Sequence, residues 1–382
     1  MDRASPDIWL ERGRVGEPDR ALHGPAPDPP PPRRHRRPEG RGPIDPCCHL
    51  QVLPVTLQNY VDRFLRVVVN VRNGRARPHK ICMLLAMLDL ARAGGLSTNR
   101  ILYGPQLLER YGAFFEAVRA PGDFLHPYYP FFHLAGALKG GQPSFWHLEA
   151  LPGRQHALDE LDTPRGSADI TTNIAGASLD PELHALLQDP RAVDELTATL
   201  SEHWFGRGLQ DLGTVVERCS KVSRYEHELR TGLSPLRTGE VPPPAYVRDP
   251  AFRRVVTQVY DYRCAATGVR ILLTSGEAMV EAAHIHPFSE AGDDDPRNGL
   301  ALSRDMHWAM DRNLIAPGPD FRWHVSKVLD RRIPDFHSLC DLDGRELLLP
   351  SEPRMYPKRD VLQWRMKRLR EQDWIAPEAT QL

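Results

Sequence analysis

Between residues 280 and 312 the chain reads VEAAHIHPFSEAGDDDPRNGLALSRDMHWAMDR, and no other stretch restricts the local fold as much. VEAAHI has the short apolar character of a strand. SRDMHWAMD reads as a helix, because Met306 and Met310 share one face, as do His307 and Asp311 at i and i+4. The order is therefore a strand, a loop carrying Asn298, and a helix presenting His307 and Asp311. His284 ends the strand segment; Asn298 follows fourteen residues later, His307 nine beyond that, and Asp311 four further.

The rest of the chain sets the boundaries. Its 382 residues are enough for two or three domains with sizeable cores. A formal net charge of −1 gives no global attraction to a polyanion, so any nucleic-acid surface must come from local clustering. The six cysteines form no CxxC pair, which argues against a four-cysteine zinc site and against a disulfide framework. Cys264 is expected to pack in a turn. The first residues lack a signal-peptide core, and no run of about 18 apolar residues occurs. The expectation is a soluble, cytoplasmic protein with no membrane contact.

Residues 1–48 contain PAPDPPPPRRHRRPEGRGP, where fixed proline φ angles and mutually repelling arginines predict a disordered tail. A first domain is expected over 49–205. In RPHKICMLLAMLDLARAGG, Ile81, Leu84, Leu85 and Leu88 fall on one helical face, and Gly94-Gly95 supplies the stop. YYPFFHL and PSFWHL read as two strands of an antiparallel hairpin. Asp180-Pro181 and Asp189-Pro190 each read as an N-cap with proline at N1, the second helix running to about Phe205. Residues 206–245 begin helix-compatible and end in LRTGEVPPPA, the chemistry of a linker. A second domain is expected over 246–382, so the fold class is α+β. Near its end, RMYPKRDVLQWRMKRLR carries Arg354, Lys358, Arg359, Arg365, Lys367, Arg368 and Arg370 in front of an apolar stripe of Leu362, Met366 and Leu369. It predicts a basic amphipathic helix suited to phosphate contact.

Hydrolysis of a phosphodiester with one metal ion needs a cation at the scissile phosphate, a base on the opposite side, and a third group that fixes the base's tautomer. Histidine suits the base, and a loop amide suits the third role. With CAATG upstream and NGLALSRDMHWAMD downstream, His284, Asn298 and His307 resemble the HNH endonuclease family, whose domain has the ββα-metal fold. The resemblance covers about residues 262–318. It implies that His284 is the general base, that Asn298 orients the catalytic loop, and that His307 binds a divalent metal, Mg²⁺ or Mn²⁺. Asp311 falls where many members carry a second helical ligand. Many members also place a ligand immediately before the base, where this chain has Ala283; Glu281, on the same strand face, is expected to reach in, with His286 as its rival. Asp293-Asp294-Asp295 reads as a solvated loop rather than a metal cluster.

A nuclease core this small contacts mainly backbone, so targeting is expected to come from the first domain. RPHKICMLLAMLDL followed by YYPFFHL and FWHL resembles the sulfur-binding domain joined to HNH modules in restriction enzymes specific for phosphorothioate-modified DNA. This resemblance covers about residues 55–205. It implies an α+β reader domain ahead of the ββα-metal nuclease domain, and duplex phosphorothioate DNA as partner. Sulfur in place of a phosphate oxygen is larger and more weakly hydrated, so its pocket should set an apolar wall beside cationic donors. Tyr129 and Pro130 are the expected wall; Arg72, His79 and Lys80 the expected donors; His133 lines the same cavity. Two other readings remain open at this point: a catalytically weak DNA reader, and a pocket for a flipped methylated base between Tyr129 and Trp146. Cutting both strands would need two active sites, which makes a homodimer plausible.

Overall fold

The computed structural model describes residues 55–371 except 73, 206–211, 233–241 and 274; the expected disordered tail, 1–48, lies outside the described residues. The chain opens with α1 (Val55–Leu65), a two-residue hairpin of β1 (Val71–Arg72) and β2 (Arg75–Ala76), and α2 (His79–Arg92). Every side chain of α2 from Ile81 to Leu90 is buried. One apolar face is therefore too narrow a description of this helix. It is covered on several sides by α3 (Pro105–Val118), by α4 (Tyr128–His133), and by α8 (Pro190–Phe205) and α9 (Leu212–Thr231) further along the chain. A helix apolar all round belongs in the middle of a bundle. Gly94 follows its end at φ 77°, the left-handed conformation expected of the stop.

YYPFFHL is α4, not a strand. Proline lacks an N–H for a strand ladder and is tolerated in a helix's first turn, which is where Pro130 sits, with Pro127 at the cap. The second half of the expected hairpin is a strand, β3 (Trp146–Ala150), but its partner lies beyond α5 (Gln155–Asp159) and α6 (Ser167–Asn173). It pairs antiparallel with β4 (Ile174–Leu179), Trp146 opposite Leu179. Asp180 stands before Pro181 at the start of α7 (Pro181–Leu186), but makes no side-chain cap. Its carboxylate instead accepts from Tyr60 at 3.0 Å and Arg63 at 2.5 Å and meets His147 at 2.7 Å, tying α1 to β3. Asp189 does cap, accepting from the Arg191 N–H at 2.9 Å.

The stretch expected as a linker contains α9, a 20-residue helix. Its apolar residues recur every three or four positions. Leu212 and Cys219 enter the core of the first region, while Val222, Tyr225 and Leu229 enter a second core. That second core is built with α10 (Ala245–Val259), β5 (Glu281–His284), β6 (Gly299–Leu302), α12 (Arg304–Asp311), the hairpin β7 (Ile315–Pro317) and β8 (Trp323–Val325), α13 (His337–Cys340) and α14 (Arg359–Met366), while the short α11 (Phe288–Ala291) between β5 and β6 adds no buried residue to it. Among the described residues no helix is long and apolar enough to cross a membrane.

Helix α14 departs from the expected basic face. Arg365 is buried and donates to the carbonyls of Ile285 at 2.7 Å and Met310 at 3.3 Å. Lys358 pairs with Asp293 and Asp295. Arg368 lies over the Trp364 ring. These cations are structural ties as much as a surface.

A buried ion network joins the two cores. Arg110 on α3 donates to Asp89 on α2 at 3.1 Å and to Glu226 on α9 at 2.5 Å, all three 1% exposed. Arg230 reaches Glu226 at 2.7 Å, and Arg254 on α10 meets Glu109 at 3.1 Å and Glu226 at 3.7 Å. Burial opposes ionisation of Glu226, but the charges of Arg110, Arg230 and Arg254 outweigh it and hold the carboxyl at about 2, below its ordinary 4.5. A depressed carboxylate pKa contributes stability above the ordinary value that is lost as pH falls toward the folded one. Thermal stability is therefore expected to fall between pH 4.5 and about 2, and Glu226→Gln to flatten that decline. Arg110→Met, which takes one cation from each of two buried carboxylates, should cost about 3–5 kcal/mol in urea unfolding at neutral pH.

Candidate active site and a basic cleft

Strands β5 and β6 pair antiparallel with His284 opposite Gly299 and Glu281 opposite Leu302. Alternation puts Glu281 and Ala283 on one face and His284 on the other. Residues directly opposite share a face, so Gly299 lies beside His284. Helix α10 approaches there: the Phe252 ring stacks on the imidazole of His284, centroids 3.9 Å apart and planes 1° from parallel. A Cβ on Gly299 would lie 2.7 Å from Phe252 Cζ and 2.6 Å from Val256 Cγ2. Its φ of −131° is open to any residue, so close helix approach, not backbone conformation, calls for glycine here.

The imidazole is held from its edge by Asp294, whose Oδ1 lies 3.0 Å from His284 Nε2. Asp294 is fully buried; Arg248 donates to both its oxygens at 3.0 and 3.2 Å, and Tyr225 Oη donates to Oδ2 at 3.3 Å. A carboxylate beside a guanidinium accepts only, so the neutral ring carries its proton on Nε2 and leaves the lone pair on Nδ1. The acidic run is accordingly not a solvated loop. Each of its carboxylates is paired with a cation: Asp293 meets Lys358 at 2.8 Å, Asp294 meets Arg248, and Asp295 meets Arg297 at 2.6 Å and shares Lys358 at 3.0 Å. Burial opposes ionisation of Asp295, but the bonds from Arg297 and Lys358 hold its carboxyl at about 2.

Asn298, fully buried at the end of a short 3-10 turn, binds backbone rather than the ring. Its Oδ1 accepts from the His286 N–H, and its Nδ2 donates to the carbonyls of His286 and Asp293, each at 2.9 Å. The expected tasks are thus divided: the amide closes the loop between β5 and β6, and the carboxylate of Asp294 holds the imidazole. Cys264 is buried, its sulfur 3.5 Å from the Ser303 N–H.

On the other face of β5, Glu281 Oε1 lies 2.7 Å from His307 Nδ1, and Asp311 Oδ2 lies 3.4 Å from His307 Nε2. His286 is elsewhere, stacked on Trp364 at 3.8 Å with Glu290 nearby, and burial lowers its pKa. Glu281, not His286, therefore accompanies His307. Two carboxylates and an imidazole are a donor set suited to a hard or borderline divalent ion. Among the described residues no three such side chains already surround a common point, because the two carboxylates occupy the two ring nitrogens of His307. The donor chemistry fits a divalent ion once one of those bonds is exchanged for a metal bond.

The first region holds a cleft of about 1020 Å³ between the β1–β2 hairpin, the start of α2 and α4. All six residues expected to form a pocket line it: Arg72, His79, Lys80, Tyr129, Pro130 and His133. Phe124, 67% exposed, adds a second ring. The Tyr129 and His133 rings stack at 6.0 Å, and His79 Nε2 bonds the Phe124 carbonyl at 3.0 Å. Arg77 is tied to Asp123. Among the described residues Lys80 has no carboxylate partner, and burial lowers its pKa. Burial likewise lowers that of His133, with the Lys80 charge adding to it. Trp146 does not reach this cleft; it is 1% exposed and packs edge-on against Phe131, so it is no second wall for a flipped base.

Residues 264–316 match the family model described as HNH endonuclease, so the chain carries an HNH endonuclease domain. Among four solved chains that match is one described as a modification-dependent TagI restriction endonuclease, at 21% identity and a TM-score of 0.26. That match covers 32% of this chain and 39% of the neighbour's own length. No curated protein matches. Tyr225 and Arg248, which hold Asp294, and Phe252, which stacks on His284, all precede the matched segment; the sequence singled out none of them, nor Gly299, and Asp294 was read only as part of a solvated acidic loop. The one available signal was the placement of Asp294 four residues before Asn298 in the loop that returns to His284.

Gly299→Ala is expected to push Phe252 off the imidazole and to cost about 1–3 kcal/mol through overpacking, read as a lower melting temperature with loss of cleavage activity.

Proposed function

We propose that this protein is a modification-dependent endonuclease. Its HNH domain hydrolyses a DNA phosphodiester, and its first region directs the cut by binding a phosphorothioate in the basic cleft. The observation behind the hydrolytic part is the arrangement along β5: His284 bonded to buried Asp294 on one face, Glu281 with His307 and Asp311 on the other.

In this reading Nδ1 of His284 takes the proton of the attacking water. Asp294, backed by Arg248, stabilises the imidazolium that forms, and Phe252 keeps the ring in one plane. Asn298 fixes the loop whose backbone carries both ends of this couple. Glu281, His307 and Asp311 would hold a Mg²⁺ or Mn²⁺ ion, which when bound supplies Lewis-acid stabilisation of the phosphate and of the leaving oxygen. The separation of base and metal donors onto opposite strand faces suits an in-line displacement. Breaking both strands takes two such centres, so two copies acting on one duplex complete the cut.

For the cleft, the supporting features are the ring of Pro130 and the faces of Tyr129 and Phe124 set beside the ammonium of Lys80 and the guanidinium of Arg72. A sulfur-substituted phosphate has one soft, weakly hydrated atom to rest against the rings and oxygens left for the cations.

The test is cleavage of matched duplexes with and without phosphorothioate in Mg²⁺ or Mn²⁺. Selective cutting of the modified duplex is expected; equal cutting removes the reader assignment, and no cutting with any metal removes the hydrolase. His284→Ala should lower kcat by about 10²–10⁴-fold while calorimetric Mn²⁺ binding persists. His307→Ala should weaken that metal binding itself. Asp294→Asn should lower kcat by about 10–100-fold with KM little changed, as expected for a group that orients another. Lys80→Met should abolish the preference for modified DNA and leave slow cutting of ordinary duplex.

A further inference from the structure

Trp308 follows His307 directly on α12 and is 55% exposed. A single exposed apolar side chain carries no message by itself. Its position here does. One turn before it, Arg304 is 90% exposed in its side chain, with Nε 3.7 Å from Glu281 Oε2, the carboxylate that holds His307. One turn after it, Arg312 caps the helix and is also exposed. At i, i+4 and i+8 the three form a stripe of cation, indole and cation along one side of α12. The neighbouring row, His307 and Asp311, is the metal-binding candidate. The other exposed charges on this helix are Asp305, in its first turn, and Asp311, in that neighbouring row.

We propose that this stripe is a DNA contact surface at the cut site, with Arg304 and Arg312 on successive phosphates and the indole of Trp308 stacked on a nucleobase between them. The inference rests on the nuclease reading of the same domain and adds to it a surface outside the reacting groups. Charge complementarity selects the occupant: two guanidiniums one helical turn either side of a flat apolar ring suit a polyanion that also offers flat apolar faces. A protein partner would be expected to meet a wider apolar patch, whereas the large apolar neighbours of Trp308 on α12, Met306 and Met310, are buried. Stacking at this point also has a mechanical consequence. A base held one residue from His307 fixes the phosphate register relative to the hydrolytic groups, so Trp308 would influence where the cut falls.

The experiment measures affinity of the full chain for a fluorescently labelled duplex without divalent ions, followed by mapping of the cleavage products. Trp308→Ala should weaken binding about tenfold and blur the cut position, whereas Trp308→Phe, which keeps a ring, should stay within about twofold. Arg312→Gln should reduce the slope of log affinity against log salt by about one. Because the ring is exposed, the melting temperature of Trp308→Ala should be close to that of the unaltered protein, which separates lost contact from lost fold. Unaltered binding and an unaltered cut position in a well-folded Trp308→Ala overturn the proposal while leaving the nuclease reading intact. An unaltered protein that neither binds nor cuts any DNA overturns both.

Discussion

Glu226 is a carboxylate almost without access to water, and three arginines from three different helices converge on it. Removing a charge from water costs several kcal/mol, and only near-complete pairing offsets that cost. Such a group therefore does less to raise stability than to forbid alternatives: any sliding of α9 against α3 or α10 leaves a buried charge uncompensated. The arrangement of α2, α3, α9 and α10 is fixed in this way. The next residue back, Tyr225, donates to Asp294, the carboxylate that holds His284. One turn of α9 thus bears on both the packing between the cores and the orientation of the imidazole. Segments 206–211 and 233–241 lie outside the described residues, but the helix between them is part of both cores.

At His284 the effects have different jobs. The stacked Phe252 restricts rotation out of the plane, Asp294 restricts rotation within it, and Arg248 keeps Asp294 an acceptor. Ring stacking is worth about 0.5–1.5 kcal/mol, and a hydrogen bond to a charged group about 1.5–3. The carboxylate is the larger influence, but it can act only where Gly299 lets α10 come close. A glycine that carries no chemistry is therefore a condition of the chemistry.

Local patterns were legible in the sequence and long-range ones were not. The strand–loop–helix at 281–311 could be read because His284, Asn298, His307 and Asp311 are ordered by short-range geometry, and its helical pair meets as i, i+4 spacing requires. The buried helix α2 was legible from its apolar run, though its full envelopment depended on helices up to 130 or so residues away, about which periodicity is silent. YYPFFHL was misread because aromatic content suggested a strand, while Pro127 and Pro130 favour a helix start. The acidic run and Arg365 were misread for one reason: whether a charge faces water or a buried partner depends on chain segments far off in sequence, such as α10 for Asp294 and the loop after β5 for Arg365. The six residues named for a pocket line one cleft, three of them (Tyr129, Pro130 and His133) on a helix where a strand was expected.

The cleft's chemistry bears on what kind of anion it would prefer. Lys80 is an ammonium partly withdrawn from water with no carboxylate beside it among the described residues, so burial has already weakened its hold on the proton. An incoming anion restores that hold, but must itself give up water to enter between Pro130, Tyr129 and Phe124. An ordinary phosphate diester has two strongly hydrated oxygens, and turning either toward the rings leaves it without a donor. An anion with one weakly hydrated atom can present that atom to the rings and its remaining oxygen to Lys80 or Arg72. In the proposed reading the discrimination would arise from the oxygen the wall leaves unsatisfied, not from attraction to sulfur. On this argument, placing a hydrogen-bond donor in the wall would erase the preference even with every cation kept.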